Sequence, residues 1–242
     1  MSDAAPTAEA AAAASAPAFP PIAAPASWPM LQELAPDTAQ RAFREIMEAF
    51  SRPGTIRRLP AGIVPAPVPA VLAPLLTLAD IMTPVAALSS SAQPVQGALA
   101  IAARLTVAPV ATPATTRFAL AFDESPELAE LNTGSHWSPE TGAMLFQRVT
   151  SLAAADAGAA GSLLLTGPGI PPFAPVSIVA GGLSAEFFAT LAELNSDYPS
   201  GVDVLLVTDD GAIAALARTT VVEASALVAL AAPAADQKAE VA

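Results

Sequence analysis

Cysteine is absent from the 242 residues. Disulfides, thiolate nucleophiles and cysteine-ligated zinc are therefore excluded. Histidine occurs once, at His136, which rules out multi-histidine metal sites. Lysine also occurs once, at Lys238 near the C-terminus, so the other nine basic residues are arginines. With no lysine in the body of the chain, a Schiff base there is excluded. Charged residues make up 13%, about half the usual quarter. No run of about 18 apolar residues marks a membrane span.

Acid outweighs base, at 22 to 10, for a formal net charge of -12. Such a surface repels nucleic-acid phosphates, so the basic footprint of a DNA or RNA binder is missing. The first 27 residues, "MSDAAPTAEAAAAASAPAFPPIAAPAS", lack the basic start and leucine-rich centre of a signal peptide. Their Ala/Pro content predicts a disordered or extended leader. A flexible tail is expected from Ala231 to the end, leaving 28–230 as a single domain. A soluble cytoplasmic protein is the expectation.

Periodicity supplies the elements. In "DTAQRAFREIMEAFSRPG", Phe43, Ile46, Met47 and Phe50 form one helical stripe, with Asp37 as the expected N-cap and Pro53-Gly54 as the stop. "TIRRL" reads as a short strand. A helix is predicted to about Ala79, with Pro74 in its first turn or at a kink, then a polar loop at Asp80 and a strand from Val85. "GALAIAARL" predicts a helix and "TRFALAF" a strand. "SPELAELNTG" predicts a short helix capped by Ser125. "AMLFQRV" and "GSLLLTG" predict strands joined by a surface loop, "TSLAAADAGAA". Ser184 caps a helix in "SAEFFATLAELNSD", and "VDVLLVT-DDG-AIAALA" reads as a hairpin. The alternation predicts a layered α/β/α fold with a mixed sheet.

Candidate chemistry is sparse. Arg41, Arg44, Arg52, Arg57 and Arg58 crowd one window, and guanidinium forks suit phosphate oxygens. Yet Arg41–Glu45, Arg44–Glu48 and Glu48–Arg52 are spaced as self-pairing i,i+4 partners, and Arg57 and Arg58 point to opposite strand faces. His136 with Glu140 offers a base and an acid, without a G-x-S-x-G elbow. Asp80, with Thr83, stands in an apolar run, where capping, metal ligation or substrate binding would each account for it. Asp203 opens a strand after a Pro/Gly loop. Arg218, Thr219 and Thr220 follow the hairpin, where an anion pocket or a protected strand edge would fit. "LLLTGPGI" resembles a phosphate loop only superficially. It has no lysine, Pro168 removes a backbone donor, and "PPF" prevents a clean helix start.

Six pieces in order, "FREIMEAFSRPG", "LLTLADIMTPV", "TGSHWSPETGA", "LLLTGPGI", "YPSGVDVLLV" and "ARTTVVE", resemble the PhnH family of the bacterial carbon–phosphorus lyase system. The resemblance runs from about Asp37 to Glu223. It implies a fold like the large domain of PLP-dependent transferases without the cofactor, in keeping with the missing body lysine. It implies a homodimer that associates with PhnG, PhnI and PhnJ. It implies action with PhnG, PhnI and PhnL, in which an alkylphosphonate displaces adenine from ATP, the substrate of the complex. Asp80, Thr83, Asp203, Arg218 and Thr219 are the polar positions at element ends that it offers as a substrate pocket, with no metal. Ala217 stands where the family has proline, Met144 where many relatives have threonine, and His136-Trp137 match no motif of the family.

Overall fold

A computed structural model describes residues 24–88 and 93–224. The expected tail from Ala231, Lys238 within it, and most of the expected leader lie outside the described residues. The centre is a six-stranded mixed sheet. Its strands are β1 (Arg57–Arg58), β2 (Val85–Leu88), β3 (Phe118–Ala121), β4 (Met144–Val149), β8 (Asp203–Thr208) and β9 (Ala212–Leu216), in the order β1-β9-β8-β4-β3-β2. From β2 to β8 the neighbours are parallel, while β9 pairs antiparallel with both β8 and β1.

Side-chain alternation along these strands divides the core into two layers. Phe146, Leu205, Val207, Ile213 and Ala215 point to one face. There they meet α1 (Pro36–Ser51), α2 (Leu72–Leu78) and α3 (Gln93–Thr106). Leu145, Val149, Val204, Leu206 and Leu216 point the other way. They meet α4 (Ala185–Leu194) and a four-stranded antiparallel sheet of β5 (Ser151–Ala154), β6 (Leu163–Thr166), β7 (Val176–Gly181) and β10 (Val221–Ala224), ordered β10-β6-β7-β5. The layered α/β architecture and mixed sheet agree with the sequence reading. Among the described residues, however, one outer layer is a small sheet with one α-helix.

Local differences have local causes. Helix α1 begins at Pro36, whose missing N–H costs nothing at a helix start, so Asp37 lies in the first turn and Ala35 is the cap residue. Its buried side chains are Ala42, Ile46 and Ala49, and Phe43 and Met47 remain half exposed. The stripe is therefore rotated toward the small residues, which let the helix approach β9. Pro74 falls in the first turn of α2. Ser125 and Ser184 both accept backbone N–H bonds as helix caps. The expected surface loop after β4 contains β5 instead, held by β7 in the register Ser151↔Gly181 to Ala154↔Ile178. Its alanines carry little strand signal of their own, and backbone pairing with β7 supplies the order.

Candidate functional site

At the N-terminal ends of the parallel strands, Arg218 is the centre of a polar knot. Its Nε and Nη2 donate to Asp203 Oδ2 at 3.1 and 2.6 Å, and its backbone N–H donates to Asp203 Oδ1 at 2.8 Å. Its Nη1 donates to the Pro139 carbonyl at 2.6 Å and reaches that of Pro199 at 3.5 Å. The two side chains are only 15% and 21% exposed. A guanidinium so engaged has little left for an incoming anion. It joins three separate segments: the 133–143 loop, the 198–203 loop and the end of the hairpin.

Close backbone contacts complete the knot. A Cβ at Gly142 would lie 2.5 Å from the Gly201 carbonyl oxygen and 2.8 Å from that of Thr133, so no larger residue fits there. The Gly-Pro-Gly loop after β6 works in the same way. Gly167, at φ +133°, abuts the Thr219 carbonyl, and Gly169, at φ +84°, abuts the Ser51 carbonyl at the end of α1. The loop is thus a junction between the second sheet, α1 and the segment after β9. It makes no phosphate cradle.

The five residues expected to share a pocket divide into two places. Asp203 and Arg218 are paired in the knot, and Thr219 lies next in sequence. Arg218 and Thr219 also line an apolar cavity of about 500 Å³ walled by Phe188, Leu191 and Tyr198. Thr220 borders it too, 8% exposed, with a hydroxyl that has no hydrogen-bond partner. Asp80 and Thr83 stand elsewhere, before β2. Strands β3 and β4 intervene between β2 and β8, a separation of roughly 14 Å at about 4.8 Å per strand. Asp80 Oδ1 accepts from the Thr83 hydroxyl at 2.6 Å and the Met82 N–H at 2.9 Å. Those two bonds, the hydroxyl first, hold its carboxyl below the ordinary range. This is a self-capped turn.

Other expected partners also rearrange. His136 Nε2 lies 3.0 Å from Asp197 Oδ2 in an exposed pair, so Asp197 takes the place expected of Glu140. Glu48 pairs with Arg52 as its spacing predicts. Glu45 turns from Arg41 to Arg57, whose Nη2 is 2.8 Å away. Arg41 bonds the Asp37 carbonyl and the Thr38 hydroxyl. Arg58 reaches Asp210.

The opposite end of the sheet holds the better candidate. In open α/β sheets ligands settle beyond the C-terminal ends of the parallel strands. A cavity of about 420 Å³ lies there, between the proline-rich 59–70 loop and the β8–β9 turn. Its polar groups are Arg148, the penultimate residue of β4, and Asp209 and Asp210 directly after β8. Arg148 grips Asp209 in a two-pronged fork, Nε to Oδ1 at 2.8 Å and Nη2 to Oδ2 at 2.6 Å. The arginine side chain is 4% exposed and the aspartate 48%. Asp210 Oδ1 accepts from the Thr208 hydroxyl and its Oδ2 from Arg58 at 2.9 Å. These contacts, Thr208 foremost, lower its pKa. Sequence reasoning passed over Arg148 and Asp209. The available signal was a charged residue inside the apolar run "MLFQRV", which demands a buried partner. Among the described residues, no group of three or more His, Asp or Glu side chains is gathered to hold a metal ion. No helix among them is long and apolar enough to cross a membrane.

The family model for PhnH, described as bacterial phosphonate metabolism protein, matches residues 33–223. The chain belongs to the PhnH family. A relative from Stutzerimonas stutzeri, HtxG, named as a C-P lyase subunit protein, is 33% identical over 185 residues, covering 75% of this chain and 84% of its own length. Membership places the chain in a family of bacterial phosphonate metabolism proteins. The matched span contains both the N-terminal knot and the C-terminal cavity.

Proposed function

We propose that the chain acts with PhnG, PhnI and PhnL in transferring an alkylphosphonate to the ribose C1 of ATP, with release of adenine. In this reading it is a supporting subunit of a ribosyltransferase complex, a homodimer in the cytoplasm that also meets PhnJ. It carries no bound cofactor of its own, and ATP is a substrate of the complex. Family membership over 33–223 carries the reading. The site chemistry agrees with a role in binding and orienting: the cavity at the strand ends is built on an internal ion pair, with no nucleophile beside a base.

Two other readings draw less support. A hydrolase built on His136 and Glu140 lacks its pair, since His136 bonds Asp197. A stand-alone nucleotide or phosphonate binder built on Arg218 and the arginine window has few donors to offer, since the Arg218 guanidinium is mostly engaged by Asp203 and two carbonyls, and Arg41, Arg52, Arg57 and Arg58 have internal partners. The test is reconstitution. Purified PhnG, PhnI and PhnL, with ATP and methylphosphonate, are expected to release adenine only when this chain is added. Equal adenine release without it would overturn the proposal.

A further inference from the structure

The Arg148–Asp209 pair is hard to explain as a stability device. Burying a guanidinium costs several kcal/mol, and an apolar pair of similar volume would hold the strands as well. What the pair achieves is orientation. One partner is buried and the other half open, so the arginine fixes a carboxylate that remains accessible. Each carboxylate oxygen has two acceptor sites, and the fork takes one from each. One acceptor site on each Asp209 oxygen is left over.

The surroundings define what those acceptors would meet. Two carboxylates, Asp209 and Asp210, are matched by two guanidiniums, Arg148 and Arg58. Each carboxylate of the cavity is therefore offset by a guanidinium, although Arg58 itself stands outside the lining. That disfavours a phosphate, which would face two carboxylates in a chain of net charge -12. It also weakens the pull on an ammonium group. A neutral donor remains, and two adjacent acceptors suit two adjacent hydroxyls. Ile63, Val64 and Pro67 of the 59–70 loop also line the cavity and offer apolar contact to the C–H face of a sugar ring. A carboxylate at the end of a parallel strand holding sugar hydroxyls is an arrangement that α/β folds use elsewhere.

We propose that this cavity receives a sugar ring, with Asp209 accepting hydrogen bonds from a vicinal pair of hydroxyls and Arg148 acting as the positioning residue behind it. That the sugar is the ribosyl group of a nucleotide rests on the transfer role proposed above. The diol site itself rests on the geometry of the cavity.

The experiment titrates the full-length protein with adenosine and with 2′,3′-dideoxyadenosine, followed by NMR, to about 10 mM. Adenosine is expected to bind saturably, and loss of the two hydroxyls to weaken it about tenfold or more. Asp209→Asn is expected to weaken adenosine by a similar factor while leaving the dideoxy compound unchanged. Asp197→Asn, in the loop before β8 at the opposite, N-terminal end of the strands, is the control and should change neither. Equal binding of the two nucleosides, adenosine binding untouched by Asp209→Asn, or no saturable adenosine binding would each overturn the inference. Reconstituted adenine release separates the two proposals. If it needs this chain but is indifferent to Asp209→Asn, the diol site falls and the transfer role stands. If it does not need this chain, the transfer role falls and the nucleoside titration judges the diol site alone.

Discussion

At the N-terminal ends of the parallel strands Arg218 meets Asp203, and at the C-terminal ends Arg148 meets Asp209. Both are close arginine–carboxylate pairs, but their exposure differs. In the first pair both side chains are largely covered, and the remaining guanidinium nitrogen is taken by carbonyls from two loops. In the second the arginine is buried and the acid half open to a cavity. The quoted sequence pieces that mark the family gather at the first end. There they act as joints: "TGSHWSPETGA", "YPSGVD" and "ART" meet at one guanidinium, and "LLLTGPGI" wedges behind them. Recognisable motifs can thus report how a fold is tied together, while the open site lies elsewhere.

This contrast is open to test, and the largest effect should come from the knot. Arg218→Ala leaves Asp203 covered without its partner and frees two carbonyls, so a loss of roughly 3–5 kcal/mol is expected in urea unfolding. Gly142→Ala forces a methyl against two carbonyl oxygens and should cost about 1–3 kcal/mol in the same assay. A melting temperature unmoved by either change would show that the knot is not structural. Thr220→Val has the opposite sign. It removes a buried hydroxyl that has no partner and should stabilise by about 1 kcal/mol.

The smallest effect is expected at the open end. Asp210→Asn should cost less than about 0.5 kcal/mol at neutral pH, because the Arg58 pair is exposed. The folded pKa of Asp210 is depressed. Its contribution is therefore fully present above the unfolded value of about 3.9 and fades as pH falls through the folded value. Wild type and Asp210→Asn should converge in stability in acid, as followed by urea titrations at several pH values. A gap that widened in acid would contradict the assigned sign.

Elements with strong local signals could be read from the sequence. The Asp210-Gly211 turn, the Ser184 cap and the apolar runs of β8 and β9 appear where expected. The second sheet was only partly legible. β6 has its leucines, but β5 is nearly all small residues, and its pairing with β7 spans about 27 residues of chain. Such contacts depend on a partner that local pattern does not name. The site shows the same limit. Arg218 and Asp203 were visible as polar residues at element ends, but nothing local told that they would consume one another. Asp209 was read only as part of a turn, because its significance comes from Arg148, 61 residues away.

One residue, Thr150, separates the end of β4 from the start of β5. The chain leaves the central sheet and enters the outer one with no slack between them. Arg148 is two residues before that crossing, and β5 is one of the two border strands of the outer sheet among the described residues. The side chain that aims Asp209 and a border strand of the outer sheet are therefore fastened to the same short length of backbone. A displacement at the cavity would reach that border along a taut lever, without a flexible linker to absorb it.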